Sequence, residues 1–212
     1  MSSSDKHTSP HQCLLHDGAS PRQLSALATV MHTKLQQNYR CFYCNSPTMI
    51  AAMYPYLESA GIHIEREIVE KRLLFPADQR QLTGGYFDPD RMLKAAEDAY
   101  QQARNDGYEG LWGSGDITWE LGPSMDYSRL LEYEQGLESF IRDNPGMIGI
   151  CQYDVGTLPR KAVRYGLLTH QSIFVSENLS MDNPYFLEPQ SSIQAAAHPI
   201  LLDAAIGRLC NL

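Results

Sequence analysis

Polar residues that follow short apolar runs are the candidates for chemistry in this sequence. The stretch "GLWGSGDITWEL" (110–121) passes from apolar residues through Gly113-Ser114-Gly115 to Asp116 and Trp119. Three other apolar runs end in the same way, at His16-Asp17, at Asn45 and at Gln152-Tyr153-Asp154. Imidazole, carboxylate and amide groups can orient a ligand, hold a metal ion or transfer protons, so each of these chemistries has to be weighed.

Phosphate chemistry is the least supported of these possibilities. The segment "HDGASPRQ" (16–23) stands where a phosphate-binding loop would follow the first strand. It contains neither G-x-x-x-x-G-K-[ST] nor G-x-G-x-x-G. Without the lysine little offsets the charge of a triphosphate, and Asp17 would repel it. We therefore expect no hydrolysis of ATP or GTP.

Catalytic and metal-binding alternatives remain open but lack a defining pattern. Cys151 could form a dyad with His16 or His170, although it lies in an apolar run where thiols are usually inert. His16, Asp116 and Asp154 could bind a metal ion, but no H-x-x-x-H spacing accompanies them. Ser114 lacks the G-x-S-x-G pattern of a nucleophile elbow. We expect a protein that is not an enzyme and that has no cofactor and no metal site.

A pocket for a small organic molecule is the preferred interpretation. Aromatic residues near the strand ends, including Trp119 and Tyr153, would form its walls, and the polar groups would orient the ligand. The alternative is that Trp119 only packs a loop against a helix. The predicted ligand-binding residues are His16, Asp17, Asn45, Asp116, Trp119, Gln152, Tyr153 and Asp154.

The elements that would position these residues alternate between strands and helices. Ser20-Pro21 and Asp88-Pro89 are typical helix starts, and "RLLF" (72–75), "SIFVSE" (172–177) and "MIGICQY" (147–153) are typical strands. A further helix is expected over about 126–142. Interleaved strands and helices predict an α/β fold, a three-layer α/β/α sandwich with a mostly parallel sheet. We place 147–153 in the interior of the sheet. In such sheets ligands bind outside the carboxyl ends of the strands.

Composition limits the class of protein. The 212 residues carry 25 acidic and 17 basic residues, a net charge of −8, which argues against a nucleic-acid surface. No secretory signal and no apolar run long enough to cross a bilayer is present, so we expect a cytoplasmic protein without a membrane contact. The five cysteines are an odd number in a chain of this size, and we expect reduced, buried thiols.

Several stretches together resemble the MEDS domain, the methanogen/methylotroph sensory domain. They are "HQCLLHD" (11–17), "GGYFDPDRMLKAAEDAYQQARNDGYEGLWGSGDITWEL" (84–121), "LLEYEQGL" (130–137), "CQYD" (151–154) and "NPYF" (183–186). The family pattern near T-G-E-M-S-W appears here as Ser114-Gly115-Asp116-Ile117-Thr118-Trp119, with a shorter acid. The resemblance covers about residues 10–188, so we expect a disordered leader (1–10), the sensory domain (11–188) and a C-terminal helical tail (189–212).

The resemblance also implies a fold and a function. The fold would be a RecA/KaiC-like core that has lost its phosphate-binding loop. The domain would sense a simple hydrocarbon derivative and signal to a separate histidine kinase or transcription regulator. The alternative is a degenerate scaffold of this kind that retains weak nucleotide binding or only binds other proteins.

Overall fold

The structure, a computed structural model, describes residues 9–18, 20–76 and 86–188. Its strands are β1 (His11–His16), β2 (Tyr39–Cys44), β3 (Leu73–Leu74), β4 (Gly110–Asp116), β5 (Met147–Asp154), β6 (Ser172–Ser176) and β7 (Leu179–Asp182). Its helices are α1 (Pro21–Gln36), α2 (Pro47–Ser59), α3 (Ile64–Val69), α4 (Pro89–Asn105), α5 (Ile117–Leu121), α6 (Leu130–Asp143) and α7 (Arg160–Thr169). The predicted leader up to residue 8, the predicted tail helix and Cys210 lie outside the described residues.

The strands form one seven-stranded sheet in the order β3-β2-β4-β5-β1-β6-β7. The paired strands run parallel except for the antiparallel pair β6 and β7. Strand β5 lies between β4 and β1, which confirms the prediction that 147–153 is an interior parallel strand. The order also brings the carboxyl ends of β2, β4, β5 and β1 next to one another.

Helices cover both faces of the sheet, which confirms the predicted α/β/α sandwich. On the first face, α1, α2 and α3 bury Leu27, Met53 and Ile64 together with Leu14 and Ile150 of the sheet. The second face packs against α4, α5, α6 and α7 through a separate apolar cluster. Because strand side chains alternate, each strand contributes every second residue to each face.

Local signals in the sequence explain the helix starts that were predicted. The Ser20 hydroxyl accepts a hydrogen bond from the Gln23 amide at 3.2 Å, and the Gln23 side chain accepts one from the Ser20 amide at 3.3 Å. This reciprocal capping box precedes Pro21 at the first helical position. The Asp88 carboxylate caps α4 ahead of Pro89 by accepting hydrogen bonds from the Asp90 and Arg91 amides, without a reciprocal bond.

Three elements differ from the prediction. The helix expected over 126–142 begins only at Leu130, because Asp126 accepts a hydrogen bond from the Ser128 amide and forms a turn there. The segment after Asp116 forms the short helix α5. Strand β7 was not predicted, since its Leu179 and Met181 are exposed and give no sign of a buried face. Among the described residues, none of the helices combines the length and apolarity that crossing a membrane needs.

Candidate functional site

The predicted rim at the carboxyl edge of the sheet exists, and most of its side chains lie on the first face. Alternation from Leu14, Ile150 and Tyr43 places His16, Gln152, Asp154, Asp116 and Asn45 on that face. The register joins the strands directly there, with His16 opposite Asp154 and Asp116 opposite Gln152. Parallel topology therefore brings these residues together, as the sequence predicted.

Asp116 serves first as a helix cap. One of its carboxylate oxygens accepts a hydrogen bond from the Trp119 amide at 2.8 Å, which explains why "GSGD" is followed by a helical turn. The other oxygen lies 3.8 Å from His16 Nε2. Burial raises the pKa of Asp116, and the neighbouring Asp154 carboxylate adds to that effect. Asp116 is thus a buried acid in which one oxygen caps α5 and the other faces the His16 imidazole.

His16 is the most unusual residue of the rim. It is buried, and both ring nitrogens are enclosed without a hydrogen-bond partner. A buried imidazole normally satisfies at least one nitrogen. His16 therefore holds an unused donor and an unused acceptor inside this edge of the sheet.

A hydrogen-bonded chain connects the middle of the rim. The Gln152 amide donates to the Ser114 hydroxyl at 2.9 Å, and that hydroxyl donates to the Ile150 carbonyl at 3.0 Å. The Asn45 amide donates to the Tyr43 hydroxyl at 3.1 Å. Burial raises the pKa of Tyr43 to about 12, so its hydroxyl stays protonated. These groups are satisfied and rigid, and they give this part of the rim a fixed shape.

The remaining rim residues hold the turn between β5 and α7. Asp154 accepts hydrogen bonds from the Gly156 amide at 3.0 Å and the Thr157 hydroxyl at 3.0 Å. Asp17 approaches the same turn, since a Cβ added at Gly156 would lie 2.7 Å from its carboxylate. Trp119 is half-buried beside its cap.

Tyr153 does not belong to this group. As the residue between Gln152 and Asp154 it points to the second face, where it is fully buried and donates a hydrogen bond to Glu134. The expectation that Tyr153 lines the rim was wrong, because strand alternation sends neighbouring residues to opposite faces.

The described residues also line a partly open apolar cavity of about 140 Å³ on the second face, away from the rim. Its lining combines glycines of β4 and β5 (Gly113, Gly115, Gly149) with alanines of α4 (Ala95, Ala96, Ala99), and Phe42 and Glu120 occupy the space directly over Gly113 and Gly115. The predicted rim residues do not line it. Its polar lining includes Glu120, whose carboxyl has one enclosed oxygen without a partner. Burial raises the pKa of Glu120 well above its usual value.

A buried polar cluster adjoins this cavity. His11 of β1, Cys151 of β5, Glu134 of α6 and His170 after α7 direct side-chain atoms at one another, with the four atoms within 4.8 Å of each other. Cys151 belongs both to the cluster and to the cavity lining. Burial lowers the pKa of His11 to about 3 and raises the pKa of Glu134 to about 7.

Sequence reasoning missed this cluster, although a signal was present. Leu130, Leu137 and Ile141 were assigned to the inward face of α6, and Glu134 and Glu138 lie on that same face. Two acids within an apolar helical stripe are rarely buried without a partner. The pairing of Cys151 with His170 was considered, but His11 lies at the other end of β1 from the polar rim and drew no attention.

The cysteine prediction holds for the described residues. Cys13, Cys41, Cys44 and Cys151 are buried free thiols. Burial raises the pKa of Cys151. Cys41 packs on the first face, whereas Cys44 lines the cavity on the second, so "CFYC" does not form a paired metal or redox motif.

Comparison with known families agrees with this architecture. The family model described as the methanogen/methylotroph, DcmR sensory (MEDS) domain matches residues 10–171. The chain belongs to the MEDS family. This match spans the rim, the cavity and the buried cluster, so all three lie within the sensory domain.

Individual relatives are distant. The transcriptional repressor DcmR of Methylorubrum extorquens is 23% identical over 164 residues, which cover 77% of this chain and 59% of the repressor. The MEDS chain thus matches little more than half of that regulator's length. An uncharacterized protein, PH0321, from Pyrococcus horikoshii, solved in complex with an unknown peptide, has a TM-score of 0.56 at 16% identity. That comparison covers 82% of this chain and 81% of the other, and it shows a shared α/β fold.

Proposed function

We propose that this MEDS domain senses a small apolar organic molecule, such as a simple hydrocarbon derivative, bound in the cavity between the sheet and helices α4 and α6. The observation that carries the proposal is the cavity itself, which is apolar, about 140 Å³ in volume and lies between the sheet and two helices of a sensory domain. An apolar cavity of about 150 Å³ stays dry and binds benzene or xenon in other proteins.

The cavity suits a ligand with few polar groups. Its aliphatic and aromatic lining supplies contact area, and Glu120 supplies one polar group. Burial raises the pKa of Glu120 well above its usual value, which favours the neutral carboxyl, a group that can donate a hydrogen bond to a ligand. Such a pocket favours neutral molecules of about benzene size and excludes nucleotides.

We further propose that the domain is not an enzyme and that it passes its signal to a transcription regulator or a histidine kinase. The relationship to a transcriptional repressor supports a regulatory role. The rim, rather than the cavity, would carry a change in the sheet to a partner, because it lies at the carboxyl ends of β1, β4 and β5, where Asp17 is exposed and Asp154 is half-buried.

Thermal unfolding with benzene as the probe tests the ligand proposal. A ligand at 100 times its Kd stabilises the folded state by about 2.7 kcal/mol, which is about 5–10 °C in Tm for a domain of this size. Ala96→Leu places an isobutyl group in the cavity, and we expect it to abolish the shift without lowering Tm. Ala52→Leu, at an exposed position of α2, is the matched control and should keep the shift.

Two results contradict the proposal. One is the absence of a shift with benzene, cyclohexane and chloroform alike. The other is a benzene shift that persists in Ala96→Leu. A shift with MgATP in place of the apolar probes favours the alternative, a scaffold with residual nucleotide binding.

A further inference from the structure

The buried cluster of His11, Glu134, Cys151 and His170 has the spacing of a metal site. His11 Nε2 lies 3.7 Å from Glu134 Oε2 and 3.5 Å from Cys151 Sγ, and His170 Nε2 lies 3.5 Å from Glu134 Oε2. In a tetrahedral zinc site with bonds of 2.0–2.3 Å, neighbouring donor atoms are about 3.3–3.8 Å apart. These three separations fall in that range, and all four donor atoms lie within 4.8 Å of one another, so a small inward movement of the side chains would complete a tetrahedral set.

Hydrogen bonds outside the cluster hold the two imidazoles in the tautomer that a metal needs. The Gly166 carbonyl lies 2.8 Å from His170 Nδ1, and since a carbonyl only accepts, that nitrogen carries the proton and Nε2 keeps its lone pair. His11 Nδ1 lies 2.8 Å from a Glu138 carboxylate oxygen, which favours the same tautomer. Carboxylates and backbone carbonyls orient histidine ligands in this way at metal centres.

Two of the donor atoms have no other partner. Glu134 Oε2 and His170 Nε2 are fully enclosed and make no hydrogen bond, whereas Glu134 Oε1 accepts one from Tyr153. All four residues are buried, with His11, Glu134 and His170 0% exposed. An enclosed carboxylate oxygen facing two unprotonated imidazole nitrogens repels their lone pairs, and a cation between them removes that repulsion.

The charges and the donor types specify the ion. One thiolate and one carboxylate neutralise a 2+ charge, which a buried site requires. Sulfur and imidazole ligands select transition metals over Mg²⁺ and Ca²⁺, which prefer oxygen. We propose that His11, Glu134, Cys151 and His170 bind one divalent transition-metal ion of the zinc class in a closed, tetrahedral site.

Metal analysis of the full chain tests this proposal first. The protein is purified without chelators, any affinity tag is removed, and metals are measured by mass spectrometry. We expect about one equivalent of a transition metal, or one equivalent of Zn²⁺ taken up after treatment with a chelator. Failure to retain or take up Zn²⁺ at micromolar concentration overturns the proposal, since four preorganised donors bind it far more tightly than that.

Cobalt substitution identifies the ligands. Co²⁺ in a tetrahedral site with one thiolate gives intense visible bands and a sulfur-to-cobalt charge-transfer band in the near ultraviolet. Cys151→Ser should abolish the charge-transfer band. Cys13→Ser is the matched control, because Cys13 is a buried thiol paired in register with Cys151 on the adjacent strand but lies outside the donor set.

The outcomes separate clearly. Loss of the charge-transfer band in Cys151→Ser and its retention in Cys13→Ser support the assignment. The assignment is overturned if the charge-transfer band is the same in both variants, or if it is lost only in Cys13→Ser. If Cys151→Ser does not fold, Glu138→Gln replaces it. This change should weaken Co²⁺ binding about 10–100-fold with the charge-transfer band preserved, because it acts only through the orientation of His11. Unchanged affinity in Glu138→Gln contradicts the proposal.

Discussion

Replacing Gly166 by alanine gives a direct test of how tightly the second face is packed. Gly166 lies in α7, and a Cβ there would approach three ring atoms of Tyr153 to 2.5, 2.7 and 2.8 Å. The ring has little room to move, since Tyr153 is fully buried and its hydroxyl bonds to Glu134. Alanine stabilises a helix by about 1 kcal/mol relative to glycine, whereas overpacking of this kind costs about 3 kcal/mol.

We therefore expect Gly166→Ala to lower the free energy of unfolding by about 2 kcal/mol. Gly136→Ala, in α6, is the matched control. Its Cβ would come within 2.5 Å of Leu93 Cδ1, the far end of a half-buried, flexible side chain. A rotamer change there costs about 1 kcal/mol, so helix propensity balances it and stability stays near that of the wild type.

Urea unfolding followed by circular dichroism measures both variants. The difference between them should be about 2 kcal/mol, or about 4–8 °C in Tm, with the denaturant dependence m unchanged. If Gly166→Ala is as stable as Gly136→Ala, the contact between α7 and Tyr153 is wrong. The orientation of His170, which depends on the Gly166 carbonyl, would then also be in doubt.

Three further changes test individual residues. Asp116→Ala removes the cap of α5 and should cost about 1–2 kcal/mol in urea unfolding, while Asp116→Asn, which can still cap, should cost less. Glu120 holds its proton more tightly in the folded chain than in the unfolded chain, so stability falls as pH rises from about 4.5 towards its raised pKa. Urea unfolding at several pH values measures this dependence. Glu120→Gln should remove the contribution of Glu120 to the fall in the free energy of unfolding, which is up to about 1.4 kcal/mol per pH unit. Trp119→Ala should leave the benzene-induced Tm shift intact, because Trp119 does not line the cavity. Loss of the shift with an unchanged Tm would indicate that the ligand binds at the rim instead.

The fold was predictable because several local signals agree. Capping residues with proline mark the starts of α1 and α4, and the apolar run 147–153 specifies an interior strand. Alternation of these elements then leaves a parallel sheet as the simplest arrangement. Strand β7 was missed because pairing, rather than burial, determines it, and its exposed side chains carry no periodic pattern.

The site was only partly predictable, and the reason is geometric. The rule for parallel sheets correctly brought His16, Asp116 and Gln152 to one edge. It contains no information on which face a cavity occupies, because a cavity arises from missing side chains. Here the cavity lies beside the alanines of α4, which read in the sequence as ordinary small residues of a buried stripe.

Buried polar atoms without partners distinguish a binding domain from a purely structural one. His16 Nδ1 and Nε2, Glu134 Oε2 and His170 Nε2 are enclosed without hydrogen bonds. Each such atom costs about 1–3 kcal/mol, so together they approach the whole stability of a typical domain, about 5–15 kcal/mol. Apolar side chains of similar shape would remove this cost, and local rules are usually broken where a protein functions. The pattern on both faces of β1 therefore supports the proposals that these groups serve binding rather than stability.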